Sequence, residues 1–276
     1  MLLKLLNPKP RLLPYIDKFW LFESSCGLPS GDSRVIVPNG RVKIIYPYIN
    51  SLSTFDGRVQ NDHQELDVFV VGLWTEPVVL SSKSQITGTI GIELSPAGAY
   101  RFTRLPLSDL KGRVVSLRDI YGSRADGLTD KLANADGHQR KADLLQDFLI
   151  EVLEETLREN LIVDYTVAQI QKARGAIEIR TLEKLTGYSK RYLDLLFQDH
   201  LGISPKNLAG ILRFQELYKA WAVERHMRFY GEKALELYYD HSHFAKDFKR
   251  FTGSSPREYA SERNEFGRIF YITERS

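Results

Sequence analysis

The chain has 276 residues, of which 43% are hydrophobic and 26% charged, and its formal net charge is +3. These values suit an ordinary globular protein long enough for two domains, and no apolar run approaches the ~20 residues that span a bilayer. A lone cysteine, Cys26, excludes a disulfide framework and fits a reducing, cytoplasmic setting, and the start, MLLKLLNPKPRLLPY, is broken by Pro8, Pro10 and Pro14 and reads as no signal peptide.

Residues 1–137 read as a β-rich domain. The runs Ser33–Val37, Val42–Tyr48, Val68–Gly72, Pro77–Leu80 and Thr87–Leu94 are rich in Val, Ile, Tyr and Phe. Turn signals such as Pro38-Asn39-Gly40, Asp56-Gly57 and Ser95-Pro96 separate them. Many short strands between turns predict a small sandwich or barrel, with a short helix over Ala97–Thr103. Trp20, Phe22, Tyr46, Tyr48, Phe69 and Trp74 are either plain core or the lining of an open interior, which would then be an effector pocket. Glu93, within the apolar strand GTIGIEL, is a core-edge carboxylate or faces that effector.

Residues 122–140 carry turn residues and one short helix, and 140–160 then become helical, with Leu144, Leu145, Phe148, Val152 and Leu153 at helical spacing. The hinge between the halves falls here. Segment 138–162 reads as a helical linker packed on either domain, or as a dimerisation helix. Beyond it, helices are predicted over 165–175, 181–187, 190–200, 205–226, 231–238 and 241–252, with Gly187, Gly202, Pro205, Gly231 and Gly253 between them. This is the basic part of the chain: 163–263 holds 17 Lys and Arg against 13 Asp and Glu, whereas 1–162 holds 19 against 20. The bias points modestly to a polyanionic partner.

A repeat lies within the helical half. A shift of 51 residues lays FQDHLGISPKNL (197–208) on FKRFTGSSPREY (248–259), and both read Phe-x-x-x-x-Gly-x-Ser-Pro-basic. Each copy starts at an N-cap residue, Ser189 or Asp240, buries one helical stripe, and stops at a glycine suited to a C′ position. Each follows a short helix across a tight turn, TLEKLTGYS or EKALELYYD, and helix, turn, helix in tandem is a DNA-binding pattern. At about 100° per residue, Ser242, Lys246, Lys249 and Arg250 lie opposite the Phe244–Phe248 stripe. Arg191, Asp194, Leu195 and Gln198 point away from Leu193–Phe197, with Lys190 near the start. His241 and His243 are two apart and share no helix face, so no metal site is expected. His243 is a polar group at the DNA-facing end or a structural one.

These residues resemble the AraC/XylS family of bacterial transcription regulators. The segments that carry the resemblance are LEKLTGYSKRYLDLLFQDHLGISPKNLAGILRFQ (182–215) and YYDHSHFAKDFKRFTGSSPREY (238–259). The resemblance implies a DNA-binding domain over 163–262, a C-terminal tail over 263–276, and contacts to DNA from Lys190, Arg191, Tyr192, Asp194 and Leu195 in the first copy. In the second it implies His241, Ser242, His243 and Lys246, to which the helix face adds Lys249. A weaker likeness over 12–24, 34–46, 91–117 and 119–122 implies a cupin-like sensory domain. Two places depart from the family pattern. Asp194 and Leu195 stand where neutral polar and basic residues are common, which suits a cytosine amino group or a thymine methyl. Leu237 stands where glycine commonly permits φ > 0, and implies a different turn.

The sequence is therefore read as α+β and multidomain, with an N-terminal small β-barrel or cupin-like sandwich and a C-terminal all-α tandem helix-turn-helix. The expected function is a cytoplasmic, sequence-specific regulator of double-stranded DNA, homodimeric, set by a small-molecule effector or partner, with no membrane, metal or cofactor. It carries no Gly-rich phosphate loop or Gly-x-Ser-x-Gly motif, and Cys26 reads as a loop thiol, so no enzyme activity is expected. The alternatives are a small-molecule-binding or enzymatic β-barrel, or a protein-interaction adaptor using Leu195, whose helical half no longer reads DNA.

Overall fold

The computed structural model describes residues 1–26, 35–156, 158–224 and 237–261. Two antiparallel sheets make the N-terminal domain. The larger takes the order β1 (Leu2–Leu5), β2 (Ile16–Ser24), β9 (Thr87–Leu94), β4 (Lys43–Ile49), β7 (Phe69–Val71) and β10 (Val114–Ser116). The smaller takes the order β3 (Val35–Ile36), β8 (Val78–Ser81), β5 (Leu52–Phe55) and β6 (Gln60–His63). Strands β2, β4 and β9 have both faces covered, which is why KIIYPYI and TGTIGIEL read as nearly unbroken apolar runs. Phe19, Leu21, Ile44, Tyr46, Ile90 and Ile92 face the helices in the main core. Trp20, Phe22, Ile45 and Phe69 alternate with them and face Leu52 of the smaller sheet in a second core.

Helices α1 (Leu117–Tyr121), α2 (Ser123–Ala133) and α3 (Gly137–Thr156) close the outer face of the larger sheet. Residues 122–140 thus hold more helix than their turn residues suggest. The apolar stripe of α3, with Leu145, Phe148, Leu149 and Val152 buried, is spent against the N-terminal domain. Lys9 pairs with Asp147 and Arg11 with Glu154, fastening the N-terminal segment along the same helix. The helix expected over Ala97–Thr103 is a 3₁₀ turn, Ala99–Phe102.

The C-terminal half contains α4 (Leu161–Lys172), α5 (Ile179–Thr186), α6 (Lys190–Leu201), α7 (Pro205–Glu224), α8 (His241–Thr252) and α9 (Pro256–Ser261). The repeat is built as its caps dictate. Ser189 Oγ accepts from Tyr192 N ahead of α6, and Asp240 accepts from His243 N ahead of α8. Gly202 and Gly253 end these helices in the left-handed conformation. Ser204 Oγ caps α7 through Asn207 N, and Ser255 Oγ caps α9 through Glu258 N, with Glu258 returning a bond to Ser255 N. Gly187 makes the first turn at φ +75°, but Tyr238, 51 residues on, has no positive φ, so the second turn differs from the first. Most of the helix expected over 231–238, and the tail over 263–276, lie outside the described residues.

The two halves are joined by a polar seam. Tyr100 Oη donates to Asp164 Oδ1 at 2.7 Å, Arg101 Nη2 to Asp164 Oδ2 at 2.5 Å, and Arg158 pairs with Asp199. At Gly202 a Cβ would lie 2.5 Å from the Leu107 carbonyl oxygen, whereas at Gly187 it would meet nothing within 4 Å. Both glycines have nearly the same φ, so they separate backbone strain from steric overlap. Gly187→Ala is expected to cost about 1–2 kcal/mol, the left-handed penalty alone. Gly202→Ala is expected to cost clearly more, because it also pushes α6 off the N-terminal domain. Chemical denaturation of both variants gives the comparison, and equal losses would contradict it.

Candidate functional site

The two repeated helices bury one face and expose the other. On α6, Leu193, Phe197 and Leu201 are wholly buried, while Lys190, Arg191, Tyr192 and Leu195 are exposed and Asp194 is half-buried. The rings of Tyr188 and Tyr192 stack with centroids 4.9 Å apart. On α8, Phe244, Phe248 and Phe251 are buried, while His241, Ser242, Lys246, Lys249 and Arg250 are exposed. Each helix therefore presents cations and small polar groups around a positive N-terminal dipole, the arrangement that receives a phosphate backbone and base edges.

The fastenings of the two helices differ. The C-terminal end of α6 is seated on the N-terminal domain: His200 is buried, its ring meets Tyr100 edge-on at 4.9 Å, and its Nε2 lies 3.3 Å from Asn160 Nδ2. Burial first, and then the Arg158 charge, act to lower the His200 pKa, against the opposing effects of the Leu196 carbonyl and Asp199. Helix α8 is seated on α7. Arg213 Nη2 lies 2.8 Å from Asp247 Oδ2, with both side chains largely buried, and the guanidinium covers the Tyr238 ring at 4.4 Å. His243 turns toward this network, 3.4 Å from Arg213 Nη2 and edge-on to Tyr238.

A cavity of about 150 Å³ lies between the two sheets and reaches α7. Trp20, Phe22, Phe69, Leu52 and Leu80 form apolar walls, and Gly91 leaves room for the Trp20 indole, which a Cβ would meet at 2.0 Å. One part of the lining is cationic. Lys18 and Lys43 flank Glu93 in register across β2, β9 and β4, Arg41 follows Gly40, and Lys219 comes from α7. Asn39 Nδ2 donates to Glu93 at 3.3 Å, and Arg41 Nε pairs with Asp17 at 2.6 Å. Burial lowers the pKa of Lys43; Glu93 opposes that shift, and Arg41 and Lys18 add to it. The buried Trp74 Nε1 and Thr87 Oγ1 have no hydrogen-bond partner among the described residues, and both residues line the cavity.

Residues 182–262 match the family described as a helix-turn-helix domain, and residues 4–116 match a domain of unknown function (DUF6597). Among solved structures the chain is similar to ToxT from Vibrio cholerae, at 10% identity and a TM-score of 0.51, covering 88% of this chain and 97% of that one. It is similar too to ToxT bound to (E)-4-(8-methylnaphthalen-1-yl)but-3-enoic acid, at 11% identity and a TM-score of 0.50, covering 88% and 98%. These two likenesses establish a shared two-domain fold. A search among proteins of curated function finds no match. The tandem motif and the family match agree: residues 182–262 form an AraC-type helix-turn-helix domain, the DNA-binding part of a transcription regulator.

The structure brings Trp20, Phe22, Trp74 and Glu93 into one cavity, so Glu93 faces the interior. Tyr46 and Tyr48 do not join them. On β4 they alternate with Lys43 and Ile45 and point into the main core, where Tyr48 Oη donates to Glu23 at 2.8 Å. Sequence reasoning missed Lys18, Arg41, Lys43 and Lys219, although a lysine beside a buried strand such as KIIYPYI was the available signal. No group of three or more His, Cys, Asp or Glu suited to a metal occurs among the described residues.

The Arg213–Asp247 pair yields a stability prediction. Asp247→Ala leaves a buried guanidinium unpaired and is expected to cost about 3 kcal/mol. Replacing both residues, as Arg213→Met with Asp247→Leu, is expected to recover most of that loss. Urea denaturation of the single and double variants gives the comparison; a double variant as unstable as the single would count against a pairing role.

Proposed function

We propose that this regulator acts in the cytoplasm as a homodimer, binds duplex DNA through the exposed faces of α6 and α8, and is set by an apolar anion held in the cavity. It is proposed to catalyse no reaction. In this reading Lys190, Arg191, Lys246 and Lys249 meet phosphates or guanine. Tyr192, Asp194 and Leu195 face bases from α6, and His241 and Ser242 face them from α8. His243 supports α8 through Arg213.

The observation that carries the effector assignment is the pairing of apolar walls with a cationic lining that includes α7, the helix joining the two DNA-reading motifs. An aromatic or aliphatic body fits between Trp20, Phe22 and Phe69. A carboxylate fits beside Lys43 and Lys219, and acceptor atoms fit Trp74 Nε1 and Thr87 Oγ1. The arylbutenoic acid bound by ToxT combines the same two features, an apolar body and a carboxylate. Coupling to DNA runs through the loop Pro38–Arg41, which lines the cavity and rests on α7. Gln215 Nε2 donates to the Pro38 carbonyl oxygen at 2.6 Å, and Gly40 lies close beneath Leu208 and Ile211. An effector shifts DNA affinity only so far as it prefers one setting of this contact over another.

Two measurements test the reading. Fluorescence anisotropy of a DNA duplex against salt is expected to show a steep fall in affinity, and each of Arg191→Ala and Lys246→Ala is expected to lower the logarithmic slope by about 1. A flat salt response, or variants with the full slope, would remove α6 and α8 from the interface. For the cavity, calorimetry with an arylbutenoic acid across a pH series is expected to show proton uptake on binding. Burial holds the Lys43 pKa low in the free protein, and a carboxylate beside it raises that pKa. Lys43→Met is expected to weaken binding at least tenfold and to abolish the uptake. Binding unchanged in Lys43→Met would place the ligand elsewhere.

A further inference from the structure

We infer that α6 reads thymine: Leu195, backed by Tyr192, makes apolar contact with the 5-methyl groups that thymines present in the major groove. This rests on the DNA-binding reading above. Tyr192 and Leu195 are three apart and lie on one side of the helix, about 200° from the buried Leu193 and Phe197 in the case of Leu195. Leu195 is 63% exposed and Tyr192 41% exposed, and Tyr188, just ahead of the N-cap, stacks on Tyr192. A single exposed leucine is ordinary on a protein surface. Here it stands in an apolar stripe with Tyr192 and Tyr188, beside Arg191 and on a helix whose N-terminus also carries Lys190, and those cations favour a polyanion over an apolar protein partner. Duplex DNA offers this stripe one kind of apolar group in the major groove, the thymine methyl; the other exposed base atoms there are donors and acceptors. Asp194, adjacent and half-buried, is repelled by phosphate and by the acceptor edge of guanine, and accepts from the amino groups of cytosine or adenine. The middle of α6 is thus selective for bases, and its first turn for backbone.

The test uses the full chain. Rounds of selection from a random duplex pool at physiological salt give a preferred site, and each thymine in it is then replaced singly by deoxyuridine, which removes one methyl and leaves pairing intact. One or two replacements are expected to weaken binding about three- to fourfold each, the effect of exposing roughly one methylene-sized apolar group. Leu195→Ala is expected to abolish the thymine-to-uracil difference at those positions while keeping the melting temperature and the salt slope. The inference is overturned if no replacement weakens binding, or if Leu195→Ala retains full discrimination. It is also overturned if Leu195→Ala retains discrimination but loses self-association, which assigns the stripe to a protein contact. A pool that yields no preferred sequence overturns it as well, while the steep salt dependence of unselected duplex would keep the DNA-binding reading. Loss of all duplex binding sinks that reading separately.

Discussion

One buried hydrogen bond joins the business of the two domains. The side-chain amide of Gln215 sits on the carbonyl oxygen of Pro38, 177 positions away in the chain, and Gln215 is almost wholly buried. An unmet amide or carbonyl there would carry the full desolvation penalty, so the loop and the helix are held in register by the cost of parting. That loop is also cavity wall, and that helix also carries the seat for Phe248 and Phe251 through Phe214. The inside of the sheet sandwich and the placement of α8 are in this way parts of one packed unit.

The larger sheet makes this arrangement possible by having no solvent face along its central strands. One side is filled by helices and the other by the second sheet, with its cavity. Filling both sides removes the usual polar-out alternation and leaves room to place isolated polar groups by function. Lys43 and Glu93 occupy such positions, in register with each other on neighbouring strands. Their local environment is set by strands far apart in sequence and by α7.

What the sequence disclosed follows from which forces are local. The tandem motif was legible because caps are short-range: Ser189 and Asp240 start helices, Gly202 and Gly253 stop them, and the apolar stripes between them repeat at helical spacing. The five expected strands occur, within the described residues, for the same reason of local composition. The strand β6, reading Gln60–His63 as QNDH, has no β-like composition and exists because β5 pairs with it. The cavity was half legible. Trp20, Phe22, Trp74 and Glu93 were candidates on residue type, but a strand buried on both sides gives no sign of which side is which, so Tyr46 and Tyr48 were indistinguishable from them. The cationic lining gathers Lys18, Arg41, Lys43 and Lys219 from widely separated segments, a convergence that only the tertiary fold creates.

The unequal fastening of the two repeated helices has a mechanical meaning. Helix α6 is bolted at its far end to the N-terminal domain through His200 and to Arg158 through Asp199, whereas α8 rides on α7 through Arg213 and Phe214. With α6 seated on one domain and α8 carried by α7, the distance between the two repeated helices is set by the tilt of α7, and the Pro38–Gly40 loop that fastens α7 is therefore also what fixes that distance.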